Sequence, residues 1–197
     1  MWTVTASDVG NAAWSRLQRD GLITPLGPLL ALPADIPHTP ALRRAALSPH
    51  VVPGRFVSGA AALWVHVGGA APRVIDQCSA HARHDRQAWS PWPSRHHLSD
   101  RPGDPPGFAG DTPAADGAAL RVIHAVPVAS PARALIDALR WDELPVAIDC
   151  ALRARSIIGI GEIEAEFHWV STHDRSRARA ASAWQMLRSS SLFTGAA

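Results

Sequence analysis

Seventeen prolines are spread along the 197 residues, and they limit how much of the chain can be regular helix. Proline fixes its own φ angle and has no N–H donor, so it interrupts helices and central strands. The chain is nevertheless 47% hydrophobic, which is enough apolar material for a globular core. The sequence therefore predicts a loop-rich protein of α/β or α+β class rather than a helical bundle.

The basic residues are all arginine, and neither lysine nor tyrosine occurs. With the abundance of alanine, this bias indicates the codon usage of a GC-rich genome before it indicates a function. The formal net charge is +2 and the isoelectric point is near 9.0. These values are compatible with a nucleic-acid partner but do not establish one.

Cysteine usage and hydropathy predict where the protein resides. Cys78 and Cys150 are far apart and provide no disulfide framework, which favours reduced thiols. No apolar run approaches the roughly 18 residues of a membrane span, and the N-terminus lacks the pattern of a signal peptide. We therefore expect a soluble, cytoplasmic protein with no membrane partner.

The N-terminal segment predicts a helix followed at once by a hairpin. Ser7 or Asp8 can cap the helix and Asp20-Gly21 can end it. Residues 22–32 then predict two short strands around a turn at 25–28. The apolar face of the helix would hold Val9, Ala13, Trp14 and Leu17. This order is typical of the recognition helix and wing of an abridged winged helix-turn-helix unit, although a helix-hairpin that only packs on the rest is the alternative.

A connector with one short helix follows this unit. Thr39 can cap a helix over residues 40–47, with Pro40 at its first position. Arg43 and Arg44 lie together on that helix, where we expect them to be solvated or, less simply, to contact phosphate.

The middle of the chain predicts strands and loops around one helical turn. A strand at 56–57 leads to Ser58, which can cap a helix over 60–64, and a buried strand follows within 72–80. The segment 86–117 is rich in proline and glycine, which predicts an exposed loop. Residues 118–129 alternate well enough for one or two strands.

From Ser130 the chain becomes helical. In the first of four predicted helices Ser130 is the cap, Pro131 takes the first position, and Arg133 can pair with Asp137 one turn later. Three more helices are predicted in the segments 143–156, 161–170 and 174–190. The remaining residues, 191–197, have no evident structure.

The sequence contains neither a complete motif for nucleophilic catalysis nor a complete metal-binding motif. Ser58 and His66 are candidates by type only, because no glycine precedes Ser58 as a nucleophile elbow requires. The simpler interpretation is a helix cap and a hydrogen-bonded histidine. Cys78, His81 and His84 are zinc-ligand types, yet their spacing matches none of the usual frameworks. We therefore expect no enzyme activity, no metal and no cofactor.

A basic and aromatic segment follows those ligand-type residues. Arginines interleaved with tryptophans can stack on single-stranded nucleic acid or anchor a protein partner, and we favour a protein partner. The candidate partner-binding residues are Arg83, Arg86, Trp89, Trp92 and Arg95.

The order of several short motifs resembles the AbiEi-type antitoxin family of type IV toxin–antitoxin systems, in a short actinobacterial-like form. The motifs are DGLITPLGPLLALP, VVPGRFVSGAAALWVHVGGAAP, VPVASPARALIDALR and AIDCALRARSI. The resemblance runs over roughly residues 5–188. It implies a winged-helix module and connector over 1–48 and an AbiEi-like α/β domain over 49–190, which ends in a helical segment.

The resemblance also implies a function. The N-terminal module would bind the operator of its own operon and repress transcription, and the second domain would counteract a nucleotidyltransferase-like toxin. The DNA-binding residues that it implies are Asn11, Arg16, Gln18, Arg19, Thr24, Arg43 and Arg44. A protein-interaction module without DNA binding, and a truncated relative of a nuclease-domain protein, are the alternatives.

Overall fold

The computed structural model describes residues 3–79, 90–99, 126–168, 170 and 175–190. Its N-terminal part is a three-stranded antiparallel sheet, with strand order β1-β3-β2, and two consecutive helices. The elements are β1 (Val4–Thr5), α1 (Ala6–Val9), α2 (Asn11–Arg19), β2 (Ile23–Pro25) and β3 (Leu30–Pro33). The helix and the hairpin predicted from the sequence are therefore present, with an additional strand before them.

The prediction of a single helix that begins at Ser7 or Asp8 is wrong, because this segment forms two helices, α1 and α2. The Thr5 hydroxyl accepts the Asp8 N–H (3.2 Å), and the Asp8 carboxylate accepts the Thr5 N–H (2.8 Å), so Thr5 is the cap. Gly10 has a φ of 79°, in the left-handed region that glycine adopts at no steric cost, and it separates α1 from α2. The helix α2 therefore begins as a separate helix after Gly10.

The middle of the chain builds a second small sheet. The connector forms α3 (Pro40–Leu47), capped by Thr39 as predicted, and a 3-10 turn over Ser48–His50. The strands β4 (Phe56–Ser58), β5 (Ile75–Ser79) and β6 (Ser94–Leu98) have the order β4-β5-β6. The first pair is antiparallel and the second is parallel. Between β4 and β5 lies α4 (Gly59–Val67), which is longer than the predicted turn.

The C-terminal part is helical, as predicted. Its helices are α5 (Pro131–Trp141), α6 (Leu144–Ala154), α7 (Ile160–Phe167) and α8 (Arg175–Ser189). The Ser130 hydroxyl caps α5 and Pro131 takes the first helical position, as the sequence indicated. Helix α5 contacts α4, α6, α7 and α8, so it lies at the centre of this helical layer. Of the strands predicted over 118–129, the described part shows one bridge, from Val128 to Val57.

Two groups of buried apolar side chains hold these layers together. A small cluster under the first sheet consists of Ala6, Trp14, Ile23 and Ala31. The main core lies between the second sheet and the C-terminal helices, and Leu26 and Leu32 of the hairpin region belong to it. Strand β3 is therefore covered on both faces, with Ala31 in the small cluster and Leu32 in the main core. The described residues form a mixed helix–strand protein, consistent with α+β, and none of their helices is long and apolar enough to cross a membrane.

Trp92 joins the hairpin to the rest of the protein. Its ring is 1% exposed and makes edge-on contacts with Trp64 and His50, with centroids 5.9 and 5.7 Å apart. Its indole N–H donates to the carbonyl of Pro72 (2.8 Å). A Cβ atom on Gly27 would lie 2.8 Å from this ring, so the hairpin backbone rests directly on the tryptophan.

We expect Gly27→Ala to destabilise the protein by about 1–3 kcal/mol, because the added methyl group overpacks a ring that is held on all sides. Urea unfolding measures the change. Gly161→Ala, where no atom lies within 4 Å of the added group, is the matched control and should be neutral or slightly stabilising. Equal stability of the two variants would contradict the assigned contact.

Candidate nucleic-acid interface

Helix α2 presents most of its surface to solvent. Trp14 is buried and Leu17 half-buried, and the other seven residues of the helix are exposed. Helical spacing of about 100° per residue places Ala12, Ser15, Arg16 and Arg19 opposite the two apolar side chains. Asn11 and Gln18 are exposed at the flanks. The four polar residues proposed for this helix are therefore all accessible, and Ala13, expected on the apolar face, is exposed instead.

The hairpin beside α2 contributes few polar groups. Thr24 is exposed on β2, as its proposed role requires. At the tip, Pro28 is exposed and Leu29 is 49% exposed, and no arginine lies between β2 and β3. Basic side chains on this unit are consequently confined to α2.

Arg43 is a correction to the sequence interpretation. It is 5% exposed and its Nε and Nη2 donate to the Val65 carbonyl at the end of α4 (3.1 and 2.9 Å). A further bond runs to the His38 carbonyl. Burial lowers the pKa of this guanidinium below its ordinary value. Arg43 therefore caps α4 instead of facing solvent or DNA, and its neighbour Arg44 is half-buried.

Trp92 and Arg95 also differ from the exposed partner-binding loop that the sequence predicted. Trp92 is in the main core, under the hairpin. Arg95 is on β6 with 40% of its side chain exposed, and its guanidinium forms ion pairs with Asp76 (2.8 Å) and Asp142 (2.6 Å). The other proposed members of that surface, Arg83, Arg86 and Trp89, lie outside the described residues.

A charged cluster surrounds the start of α4. The fully buried Asp76 carboxylate accepts from Arg95 and from His97 Nε2 (2.8 Å), and the His97 ring stacks on Trp141 at a centroid distance of 3.7 Å. The Asp142 carboxylate accepts the Ala60 N–H at the first turn of α4 (3.0 Å). Each carboxylate thus has positively polarised partners.

Gly59 is the residue that lets the two carboxylates approach the helix. It has a φ of 59°, and an added Cβ would lie 3.1 and 3.2 Å from the Oδ2 atoms of Asp76 and Asp142. Burial, and then the charge of Asp76, raises the pKa of Asp142. Two carboxylates with one perturbed pKa are a feature of acid–base sites, but here Arg95 bridges them and Asp142 caps a helix. The arrangement therefore serves to hold α4, β5 and α5 together.

A second buried network engages Ser58. This serine makes no side-chain cap of α4; its hydroxyl donates to Asp137 (2.7 Å). The same carboxylate accepts from Arg133 and Arg140 (2.8 Å each), so the predicted Arg133–Asp137 pair is present. His66 Nε2 donates to the Ala129 carbonyl (2.8 Å), which agrees with a structural histidine. Ser58 and His66 are thus engaged separately.

No metal site assembles in the part of the chain that the structure describes, where no group of three or more ligand-type side chains converges. Cys78 is fully buried in β5, and burial raises the pKa of its thiol, which opposes the thiolate that zinc requires. His81 and His84, the other proposed ligands, lie outside the described ranges.

Some of these roles had a signal in the sequence. Arg43 precedes Ala46 and Leu47 by three and four residues, so all three share one face of α3, and that face is the buried one. Asp76 lies beside Ile75 in a strand that the sequence predicted to be buried, and a buried charge needs a partner. Its pairing with Arg95 depends on parallel strand register and had no local signal.

No protein-family model matches the chain, and no curated protein matches it. The resemblance to AbiEi-type antitoxins, and the DNA-facing role of α2, therefore remain predictions.

Removing the Asp137 charge should be far more costly than removing a surface carboxylate. We expect Asp137→Asn to lower the free energy of unfolding by about 3–5 kcal/mol, because two buried guanidinium groups lose their counter-charge. Asp149→Asn breaks an exposed pair with Arg153 and should cost less than about 1 kcal/mol. Chemical denaturation of both variants measures the difference, and a small loss for Asp137→Asn would show that the network contributes little.

His50 should make stability depend on pH. Its Nδ1 bonds to Ser90 Oγ (2.7 Å), and burial lowers its pKa below the ordinary 6.5. As the pH falls through 6.5, the unfolded chain takes up a proton that the folded protein resists, so stability decreases. His38, whose pKa is lowered in the same way, adds to this effect.

Between pH 7.5 and 5.5, His50→Gln should therefore show a shallower loss of stability than the unaltered protein. Urea unfolding at several pH values gives the slope, and His168→Gln, at an exposed position, is the control. An unchanged slope in His50→Gln would exclude this histidine as the cause.

Proposed function

We propose that this protein binds duplex DNA through α2 and acts as a transcriptional regulator and antitoxin of the AbiEi type. The observation that supports DNA binding is the topology of the N-terminal unit. A strand, two helices and a hairpin follow one another, and β1 pairs with β3 in the order β1-β3-β2. That order is the one in which a winged helix-turn-helix arranges its first strand, its last two helices and its wing.

The exposed face of α2 supports the same proposal. An α-helix with its side chains is about 10–12 Å across, which fits the major groove of about 12 Å, and the nine residues of α2 give a length of about 13.5 Å. Arg16 and Arg19 on the outward face supply positive charge, and the small side chains of Ala12 and Ser15 on the same face leave the helix backbone free to approach the bases. Thr24 is exposed on the neighbouring hairpin and would contact the DNA backbone. Arg43 is excluded from the proposed interface because it is buried.

The antitoxin role is the finer part of the proposal and depends on the motif order described above. In this role the second part of the chain would counteract a nucleotidyltransferase-like toxin, while α2 represses the operon. No described group of side chains near Asp76 or Asp137 is organised for catalysis, so we propose binding rather than enzyme activity for the body of the protein.

A second candidate function is protein binding by the same unit without DNA. The hairpin tip favours it, because Leu29 is exposed there and basic residues are absent from the tip. An exposed apolar side chain without basic neighbours is better suited to a protein interface than to a phosphate contact.

We expect the protein to bind the duplex directly upstream of its own gene, and the double variant Arg16→Ala/Arg19→Ala to bind it at least tenfold more weakly. Fluorescence anisotropy over a range of salt concentrations measures both affinity and salt slope. Each phosphate that the variant no longer neutralises should reduce the slope of log K against log salt by roughly 1, because fewer counterions are released.

The matched control is Arg153→Ala/Arg188→Ala. It removes two exposed arginines that lie away from α2 and pair with Asp149 and Glu164. Equal weakening by both double variants would show only an effect of net charge. If the unaltered protein binds no duplex, the DNA-binding proposal is wrong and the protein-binding alternative is favoured.

A further inference from the structure

Arg16 is the one arginine of α2 for which the structure gives a carboxylate partner. Its Nε lies 3.4 Å from Asp20 Oδ2, one helical turn further along, and the two side chains are 79% and 44% exposed. The Asp20 N–H donates to the Arg16 carbonyl (2.9 Å), so the backbone of Asp20 is fixed at the end of the helix. The carboxylate is therefore carried on a defined position beside the arginine.

Helix stability does not explain an aspartate at this position. The C-terminal end of a helix carries partial negative charge, which an acidic side chain opposes. An exposed ion pair four residues apart stabilises a helix by only about 0.3–0.5 kcal/mol. On a surface that meets phosphates, the same carboxylate also repels the DNA. What the pair does provide is a restricted orientation for a long side chain that would otherwise sample many rotamers.

We propose that Asp20 positions the Arg16 guanidinium to read a guanine in the major groove of duplex DNA. The inference rests on the proposed function, since it names what α2 recognises. The contact that the structure gives with Asp20 is at Nε, which leaves the edge formed by Nη1 and Nη2 for a base. That edge carries two parallel N–H donors, which match the O6 and N7 acceptors of guanine; no other base presents this pair of acceptors in the major groove.

The position of Arg16 on α2 fits this role. Ser15 and Ala12 beside it are small, so the helix can lie close enough to the groove floor for the guanidinium to reach a base edge. Arg19, one turn later on the same face, is then near the strand backbone at the end of the helix, where it contributes to affinity rather than to sequence choice. Arg16 is thus the specificity-determining residue and Asp20 is a positioning residue.

The test begins with selection of tightly bound sequences from a pool of random duplexes by the full chain. The selected duplex should contain a guanine whose replacement by 7-deazaguanine, which lacks the N7 acceptor, weakens binding about tenfold. Arg16→Ala should bind the two duplexes equally. Asp20→Asn should reduce the discrimination to about threefold or less, while Asp20→Glu, which keeps the carboxylate, should retain most of it.

Binding to an unselected duplex separates positioning from simple electrostatics. Asp20→Asn should bind this duplex as tightly as the unaltered protein or more tightly, because one repelling charge is gone. Glu164→Gln is the control, since it also removes one exposed carboxylate paired with an arginine, Arg188, and it should leave the tenfold discrimination unchanged.

The inference is overturned if Asp20→Asn keeps full discrimination, or if 7-deazaguanine changes nothing at any guanine of the selected duplex. In the second case binding itself would persist, so only the guanine assignment would be wrong. If no duplex is bound under any condition, the proposed function is wrong and this inference is wrong with it.

Discussion

The buried carboxylate of Asp137 is the group on which most of the body depends. It joins the end of β4, through Ser58, to two arginines of α5, and one of these, Arg140, also reaches Ser176 on α8. A buried charge without partners would cost several kcal/mol, so these elements can only pack in the arrangement that supplies the partners. The apolar core around α5 gives the stability, while the network fixes how α5 lies against the sheet and against α8.

The second network begins on the neighbouring strand, at Asp76, which pairs with Ser58 between β4 and β5. The Asp76 side chain of β5 and the Asp142 side chain, just after α5, both lie at the first turn of α4. Arg95 bridges both carboxylates, and Gly59 gives them space. Charge is therefore balanced around the β4–α4 junction from two sides. Within this cluster each charged or imidazole group has a partner: Arg95 pairs with both carboxylates and His97 with Asp76.

Much of the fold could be predicted from local patterns. Caps at Thr39 and Ser130, each followed by proline, marked two helices, and the hairpin followed from its turn residues. The break at Gly10 and the strand before it were missed, because a glycine between two short helical segments is locally indistinguishable from a glycine within one helix. The outward face of α2 was largely predicted from spacing. The roles of Arg43, Trp92 and Arg95 were not, because each depends on a partner that is distant in the sequence.

The arginines of this chain divide into a buried group and an exposed group. Because every basic residue is arginine, residue type cannot separate those that bind a partner from those that hold the fold together. Burial separates them instead: Arg43, Arg133 and Arg140 are at most 5% exposed and donate to carbonyls or carboxylates of their own chain. Arg16 and Arg19 lie on a helix whose small neighbouring side chains leave them accessible. A guanidinium whose donors are already satisfied gains little from a phosphate, so the proposed DNA-facing role falls on exposed arginines, and Arg16 and Arg19 are the two of these that lie on α2.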